Sequence, residues 1–370
     1  TTVSTIPNVA QRQGDFSGIS NTIFDPLTWD GTTRQPFANN RIPDARVDPV
    51  ARFVRDFYPD PQNAAATRNF TLNAPVRQDF RTWDVKVDGN IDSNTTAFAR
   101  WSEQQQDIAH VPQLPATPQF GLVSRGAGQD VTSWNSVAGL NRVWSPAVVS
   151  SFRFGWNYIN TRVFNPIDTD VNSQIGLRGF DTTLPGSAEF NIAGFRGVGN
   201  NTFNPNLITS QTRLLSGDTS WTKGSHAIKF GAQIFFLQSA IVNPQRAKGT
   251  ITFDGRFTER SPTNRAGSGA SMADLLLGVP REMQGSNFVW MDLRTPFQHW
   301  FVQDDWRVSQ KLTLNFGLRY ELNPWWVDRR NQIANFDLGS CRGCDDGFLR
   351  VAQDGDSRSD RSLIRQNSKN

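Results

Sequence analysis

Residues 311–321, KLTLNFGLRYE, constrain the fold more than any other stretch, because they alternate without interruption between two incompatible solvents. Leu312, Leu314, Phe316, Leu318 and Tyr320 fall on one side of an extended strand, and Thr313, Asn315, Gly317, Arg319 and Glu321 on the other. The pattern recurs after two further Trp-and-turn segments. Trp144 precedes SPAVVS and then Phe152, Phe154, Trp156 and Tyr158, interleaved with Arg153, Gly155 and Asn157. Trp221 precedes TKGSH and then Ile228, Phe230, Ala232 and Ile234, interleaved with Lys229, Gly231 and Gln233. Trp306 precedes RVSQK and the first strand quoted. A series of amphipathic hairpins with an aromatic residue at one rim is the pattern of a transmembrane β-barrel wall.

Composition agrees with this reading and excludes others. Mean hydropathy is −0.49, and no apolar run approaches the roughly 20 residues of a membrane helix. Barrel strands are polar at every second residue, so a hydrophilic average does not count against a barrel. The chain has 12 Trp and 27 Phe against 3 Tyr, and Trp suits a membrane–water boundary, where its ring body and its N–H each find their medium. The net charge of +4 comes from scattered residues, which excludes the clustered basic footprint of a nucleic-acid partner.

Turn lengths add direction. Turns are expected near residues 92–95, at Ser145-Pro146, near 222–225 and near 308–311, each about 4–6 residues long, separated by connections of about 25–50 residues. Short turns alternating with long loops are the arrangement of outer-membrane barrels, with short periplasmic turns and long extracellular loops. The expected organisation is a long structured loop with one short helix over 1–78, wall hairpins over 79–323 and a further extracellular loop with a truncated end over 324–370. Asp48-Pro49 supplies an N-cap and an N1 proline for the helix.

Several segments resemble a known family: RQGDFSG (12–18), NRIPDARVDPVAR (40–52), FYPDPQN, DVKVDGNIDSNTTAFARWS, GSHAIKFGAQIFF, ADLLLGVP, DLRTPF and FVQDDWRVSQKLTLNFGLRYE. They look like the barrel of TonB-dependent, Oar-like outer-membrane receptors, which often carry an N-terminal carboxypeptidase-regulatory-like domain. The resemblance implies a plug and a barrel of about 22 strands. Because only about eight wall strands and no plug or energy-coupling box are legible here, the expectation is an internal barrel segment whose antiparallel, up-and-down sheet stays open. Implied partners are outer-membrane lipid, a plug domain, the remaining barrel strands and the TonB system.

The lumen-facing candidates are Arg153, Asn157, Lys229, Gln233, Asn315, Arg319 and Glu321, and the lipid-facing candidates Phe152, Phe154, Trp156, Ile228, Phe230, Leu314, Phe316 and Leu318. Cys341 and Cys344, in SCRGCDD, are the only cysteines; CxxC suits a redox pair, half a metal site or a small disulfide loop, and in an oxidising envelope the disulfide is expected. A zinc site needs two more ligands, and His110, His226 and His299 are distant in sequence. Asp304-Asp305 are neighbours on a strand and therefore point to opposite faces, which excludes a catalytic pair. GSGAS (267–271) lacks the Lys-Ser/Thr ending of a phosphate loop. No catalytic residue, metal or cofactor is expected. The expected role is solute uptake across the outer membrane. The alternatives are a secreted carbohydrate-binding or carbohydrate-active β-protein, and a surface adhesin.

Overall fold

The computed structural model describes residues 1–109, 112–117, 127–165, 167–201, 203–243, 245–286 and 290–331. Cys341 and Cys344, and with them the expected disulfide, lie outside the described residues.

The first 78 residues contain β1 (Thr2–Ser4), α1 (Val9–Arg12), α2 (Pro49–Val54) and β2 (Phe70–Leu72), with β1 antiparallel to β2. α2 is the helix expected from sequence: Asp48 Oδ1 accepts from the N–H groups of Val50 and Ala51 at 2.8 and 3.2 Å, and Pro49 opens the first turn. The additional turn α1 is closed by a capping box between Asn8 and Gln11.

The wall follows as β3 (Gln78–Asp92), β4 (Thr95–Ala109), β5 (Gly128–Ser145) and β6 (Val148–Phe164). A loop holding α3 (Val171–Gln174) and β7 (Glu189–Ile192) leads to β8 (Asn206–Lys223) and β9 (His226–Val242). The next loop carries β10 (Thr250–Phe253), α4 (Ser271–Leu276) and β11 (Glu282–Gln284). β12 (Trp290–Ser309), β13 (Leu312–Leu322) and the short β14 (Val327–Asp328) complete the described chain.

The sheet order is β13-β12-β9-β8-β6-β5-β4-β3, with β14 beside β12, and every pairing is antiparallel. β3 and β13 are the two edges and do not pair with each other, so the sheet is open. The four hairpin turns are tighter than the 4–6 residues expected, two residues each at 93–94, 146–147, 224–225 and 310–311. The ladder runs on to the turns through Ser145, Lys223, His226 and Ser309, polar residues that leave no alternation to mark the strand ends. Thr95 pairs with Arg142, Val148 with Trp221 and His226 with Trp306, so all four turns share one rim.

The buried apolar residues lie in the connections. Ile6, Phe16, Ile42, Val54 and Phe57 from the N-terminal segment pack with Val171, Phe190 and Ile192 from the 165–205 loop and with Ile251, Met272 and Leu276 from the 243–289 loop. These segments leave the wall at the rim opposite the turns, and together they form a cap with its own hydrophobic core. Cap and wall invert the usual arrangement, because the wall's large apolar side chains, such as Leu318 at 72% and Val87 at 66%, are exposed.

Candidate functional site

The strand register sorts the wall into two faces, since directly paired residues share a side of the sheet. Phe152, Phe154 and Trp156 pair with Gly217, Leu215 and Arg213; Leu215 pairs with Ile234, and Thr219 with Phe230. Phe230 pairs with Val302, Val302 with Leu318, Trp306 with Leu314, and Ile228 with Asp304, which pairs with Phe316. All eight lipid-facing candidates therefore share one face. The other face carries all seven lumen-facing candidates. Arg153, Ser216, Gln233, His299 and Glu321 form one continuous row across five strands, with Arg319 opposite Phe301 and Asn315 opposite Asp305. As adjacency requires, Asp304 and Asp305 part to opposite faces.

On the polar face four of the candidates have local partners. Lys229 Nζ lies 3.4 Å from Asp218, Asn157 accepts from Asn135, and Arg319 pairs with Glu321. Asp84 accepts from Ser102 Oγ at 2.5 Å and lies 3.4 Å from Arg100. A groove of about 410 Å³, with Thr82, Ser102, Ser133, Asn135 and Asn157 in its lining, runs along this face. The candidates form a hydrophilic lining and do not converge on one point. The sequence marks β8 only as the first arm of the hairpin that turns near 222–225, because Leu214-Leu215 breaks its alternation and small polar residues fill much of the rest.

The glycines on the polar face are also explained by neighbours. A Cβ on Gly231 would stand 2.6 Å from the Gly217 carbonyl oxygen and 2.9 Å from the Phe301 ring, so the adjacent strand's Phe301 covers it. Phe98 lies over Gly139 in the same way. Of Gly155, Gly231 and Gly317, only Gly155 stands open, with nothing nearer to an added Cβ than 3.8 Å.

On the apolar face aromatic residues form two rows. Near the turns stand Trp144, Trp221 and Trp306, each beside a basic group: Arg142 lies 4.6 Å from the Trp144 centroid, Lys223 lies 5.1 Å from that of Trp221, and the His226 ring stacks on Trp306 at 5.4 Å. His226 Nδ1 also meets Asp304 Oδ2 at 2.6 Å. The second row contains Trp134, stacked between Trp101 at 5.0 Å and Tyr158 at 5.3 Å, with Trp156 edge-on at 4.3 Å. Trp134 and Trp144 are ten residues apart on β5. At about 3.3 Å per residue and a tilt of 35–45°, that separation is roughly 23–27 Å along a barrel axis, against an apolar band of about 25 Å in outer-membrane barrels.

A family model described as "Outer membrane beta barrel domain" matches residues 1–370. The chain belongs to the outer membrane beta-barrel domain family. Its place is the outer membrane, and its open antiparallel sheet is barrel wall. Among solved structures, the outer membrane transporter YddB from Escherichia coli is similar at a TM-score of 0.33 and 9% identity, over 67% of this chain and 34% of that one. The chain thus spans about a third of that transporter's length. No curated protein sequence matches.

The barrel's cap is fastened by buried polar contacts. Arg46 grips Asp25 with two hydrogen bonds of 2.7 and 2.8 Å, and the guanidinium holds the Asp25 carboxyl below its usual range. Lys248 Nζ, almost wholly buried, reaches Asp170 at 2.5 Å and the Asp181 carbonyl at 2.7 Å. Asn69 donates to the Ile6 carbonyl and accepts from the Ile6 N–H. Among the described residues no group of three or more His, Cys, Asp or Glu side chains is placed to hold a metal ion.

Proposed function

We propose that this barrel wall and its cap are part of a TonB-dependent, Oar-like transporter that imports solute across the outer membrane, without bond-making chemistry. The observation that carries the reading is the division of the wall into an apolar face with two aromatic rows and a continuous polar face. The first matches lipid, and the second suits a water-filled or plugged lumen. On this reading Phe152, Phe154, Trp156, Ile228, Phe230, Leu314, Phe316 and Leu318 touch lipid. Arg153, Asn157, Lys229, Gln233, Asn315, Arg319 and Glu321 line the lumen. The cap is the external surface that meets the solute first. A plug domain, further wall strands and an inner-membrane motor complete the machine.

The test is depletion of solutes from a defined medium by cells with and without the full-length protein, each in a background with and without a working TonB system. A solute whose depletion requires both components is the expected result. Depletion that needs the barrel but ignores the motor overturns energised import.

A further inference from the structure

A depression on the apolar face has the polarity profile of a lipid. Between β8, β9 and β12, towards the cap, a pocket of about 440 Å³ is lined by Arg213, Arg294, Gln211 and Gln238 over Phe236 and Pro296. Arg213 lies with its guanidinium 5.1 Å from the Trp156 centroid and donates to Gln211 at 3.3 Å, and among the described residues it has no carboxylate partner. Arg294 is tied to Asp292 at 2.8 Å, and Gln238 donates to the same carboxylate at 2.8 Å. Arg329 also acts on Asp292, whose N–H donates to Asp328 Oδ1 at 2.8 Å, so three guanidinium groups stand against two carboxylates and leave a net charge of +1 at the edge of an apolar band.

Immediately towards the turn rim, on the same face, the surface becomes an apolar groove of about 990 Å³. Each next residue on the face, Leu215 after Arg213 and Ile234 after Phe236, lines this groove, and Gly217 and Ala232 form a low floor between Phe152, Phe230 and Trp300. Arg213 lies eight residues from Trp221 of the lower aromatic row, or about 20 Å along a tilted strand. The cationic pocket therefore sits near the upper limit of the apolar band, and the groove runs from it towards the middle. A lipid of the outer leaflet places its headgroup and its chains in that same order.

We propose that pocket and groove together bind one phosphorylated lipid of the outer leaflet. Its phosphate lies against the unpaired Arg213 fork and the Arg294 donors, and one acyl chain lies over Gly217 and Ala232. Arg is suited to the head because its planar donors match phosphate oxygens in pairs. The small floor residues make room for the chain, and a side chain at Gly217 would crowd Phe152, already 3.0 Å from an added Cβ. The inference rests on the outward orientation of this face proposed above.

The test uses full-length protein in detergent, with bound lipids counted by native mass spectrometry after addition of phosphatidylglycerol, diacylglycerol or inorganic phosphate. One phosphatidylglycerol is expected to be held at least tenfold better than diacylglycerol. Arg213→Gln and Gly217→Leu are each expected to lower retention about tenfold, with Arg100→Gln, on the polar face and outside both pocket and groove, unchanged. Heat-modifiable gel migration reports folding, and Arg213→Gln remains informative if Gly217→Leu does not fold. Equal retention in Arg213→Gln, equal binding of diacylglycerol, or displacement of the lipid by millimolar inorganic phosphate overturns the proposal. Quenching of Trp fluorescence by brominated acyl chains tests the orientation separately. Loss of quenching sinks the outward face, whereas quenching with unaltered lipid retention in Arg213→Gln sinks the lipid site alone.

Discussion

Phe316 and Asn315 are neighbours in sequence on an edge strand, yet a barrel gives them opposite surroundings. Phe316 shares its face with Leu314 and Leu318, whereas Asn315 faces Asp305. Placing a guanidinium among acyl chains near the bilayer midplane costs about 2–4 kcal/mol, and placing one in an aqueous lumen costs little. Phe316 stands two residues above Leu314 and its partner Trp306 in the lower aromatic row, so Phe316→Arg is expected to lower the unfolding free energy of the full-length barrel by an amount between the interfacial cost of about 0–1 kcal/mol and the midplane value, with Asn315→Arg nearly neutral. Denaturant titration into lipid vesicles measures both, and equal tolerance counts against a lipid-facing strand. The glycines allow a second contrast. At Gly231 an added methyl meets a backbone oxygen that cannot move away, so Gly231→Ala is expected to cost about 1–3 kcal/mol. Gly155→Ala, with open space around it, is expected to be tolerated in the same titration.

Among the elements, hairpins were legible wherever one face is strongly apolar, as in β6, β9 and β13, because period-two alternation needs both kinds of residue to be visible. β8 was legible only through the turn it shares with β9, and the cap's unity was not legible: Ile6, Phe190 and Met272 belong to three segments whose pairing is set by tertiary packing, which leaves no periodic trace in any one of them. α4 shows what the cap depends on. Its Asp274 is fully buried, and burial, the largest influence, pushes the carboxyl up to about 7 against hydrogen bonds from Thr258 Oγ1 and from the N–H groups of Phe257, Gly255 and Thr258. The charged groups around it are Arg256 and the buried Glu259, itself 3.4 Å from Arg265. A folded-state pKa above the unfolded value means that the contribution is full below about 3.8 and is lost as pH rises to about 7. Carboxylates held low, such as Asp25 beside Arg46, act in the opposite sense, and their stabilisation is lost as pH falls below the ordinary aspartate range. The cap is thus expected to be more resistant to limited proteolysis at pH 5 than at pH 8. Asp274→Asn, neutral throughout, is expected to flatten that difference; an unchanged pH dependence in the variant would exclude Asp274 as its source.

At the scale of the molecule, the wall has two edges and an uncovered apolar face, while its cap has a buried hydrophobic core of its own. Among the described residues, β3 and β13 each have one row of backbone N–H and C=O groups with no partner strand, a template for association in water and a cost in hydrocarbon. Closure of eight strands on themselves would make a narrow barrel filled with side chains. Arg153, Lys229, Arg319 and Glu321 would then be crowded into its interior and would need pairing there. The open sheet avoids that crowding and leaves Arg319 and Glu321 more than two-fifths exposed. The 370-residue chain expressed by itself is therefore expected to aggregate or to require detergent, driven by Val87 and Leu318 on the face and by β3 and β13 at the edges. A cysteine pair placed at Val87 and Leu318, one on each edge strand, is expected not to cross-link within one molecule. Analytical ultracentrifugation and mass spectrometry of the cross-linked species distinguish the outcomes. A monodisperse, detergent-free monomer with cooperative unfolding and an efficient intramolecular cross-link would show that these edges meet, and would favour a soluble β-protein over a membrane wall.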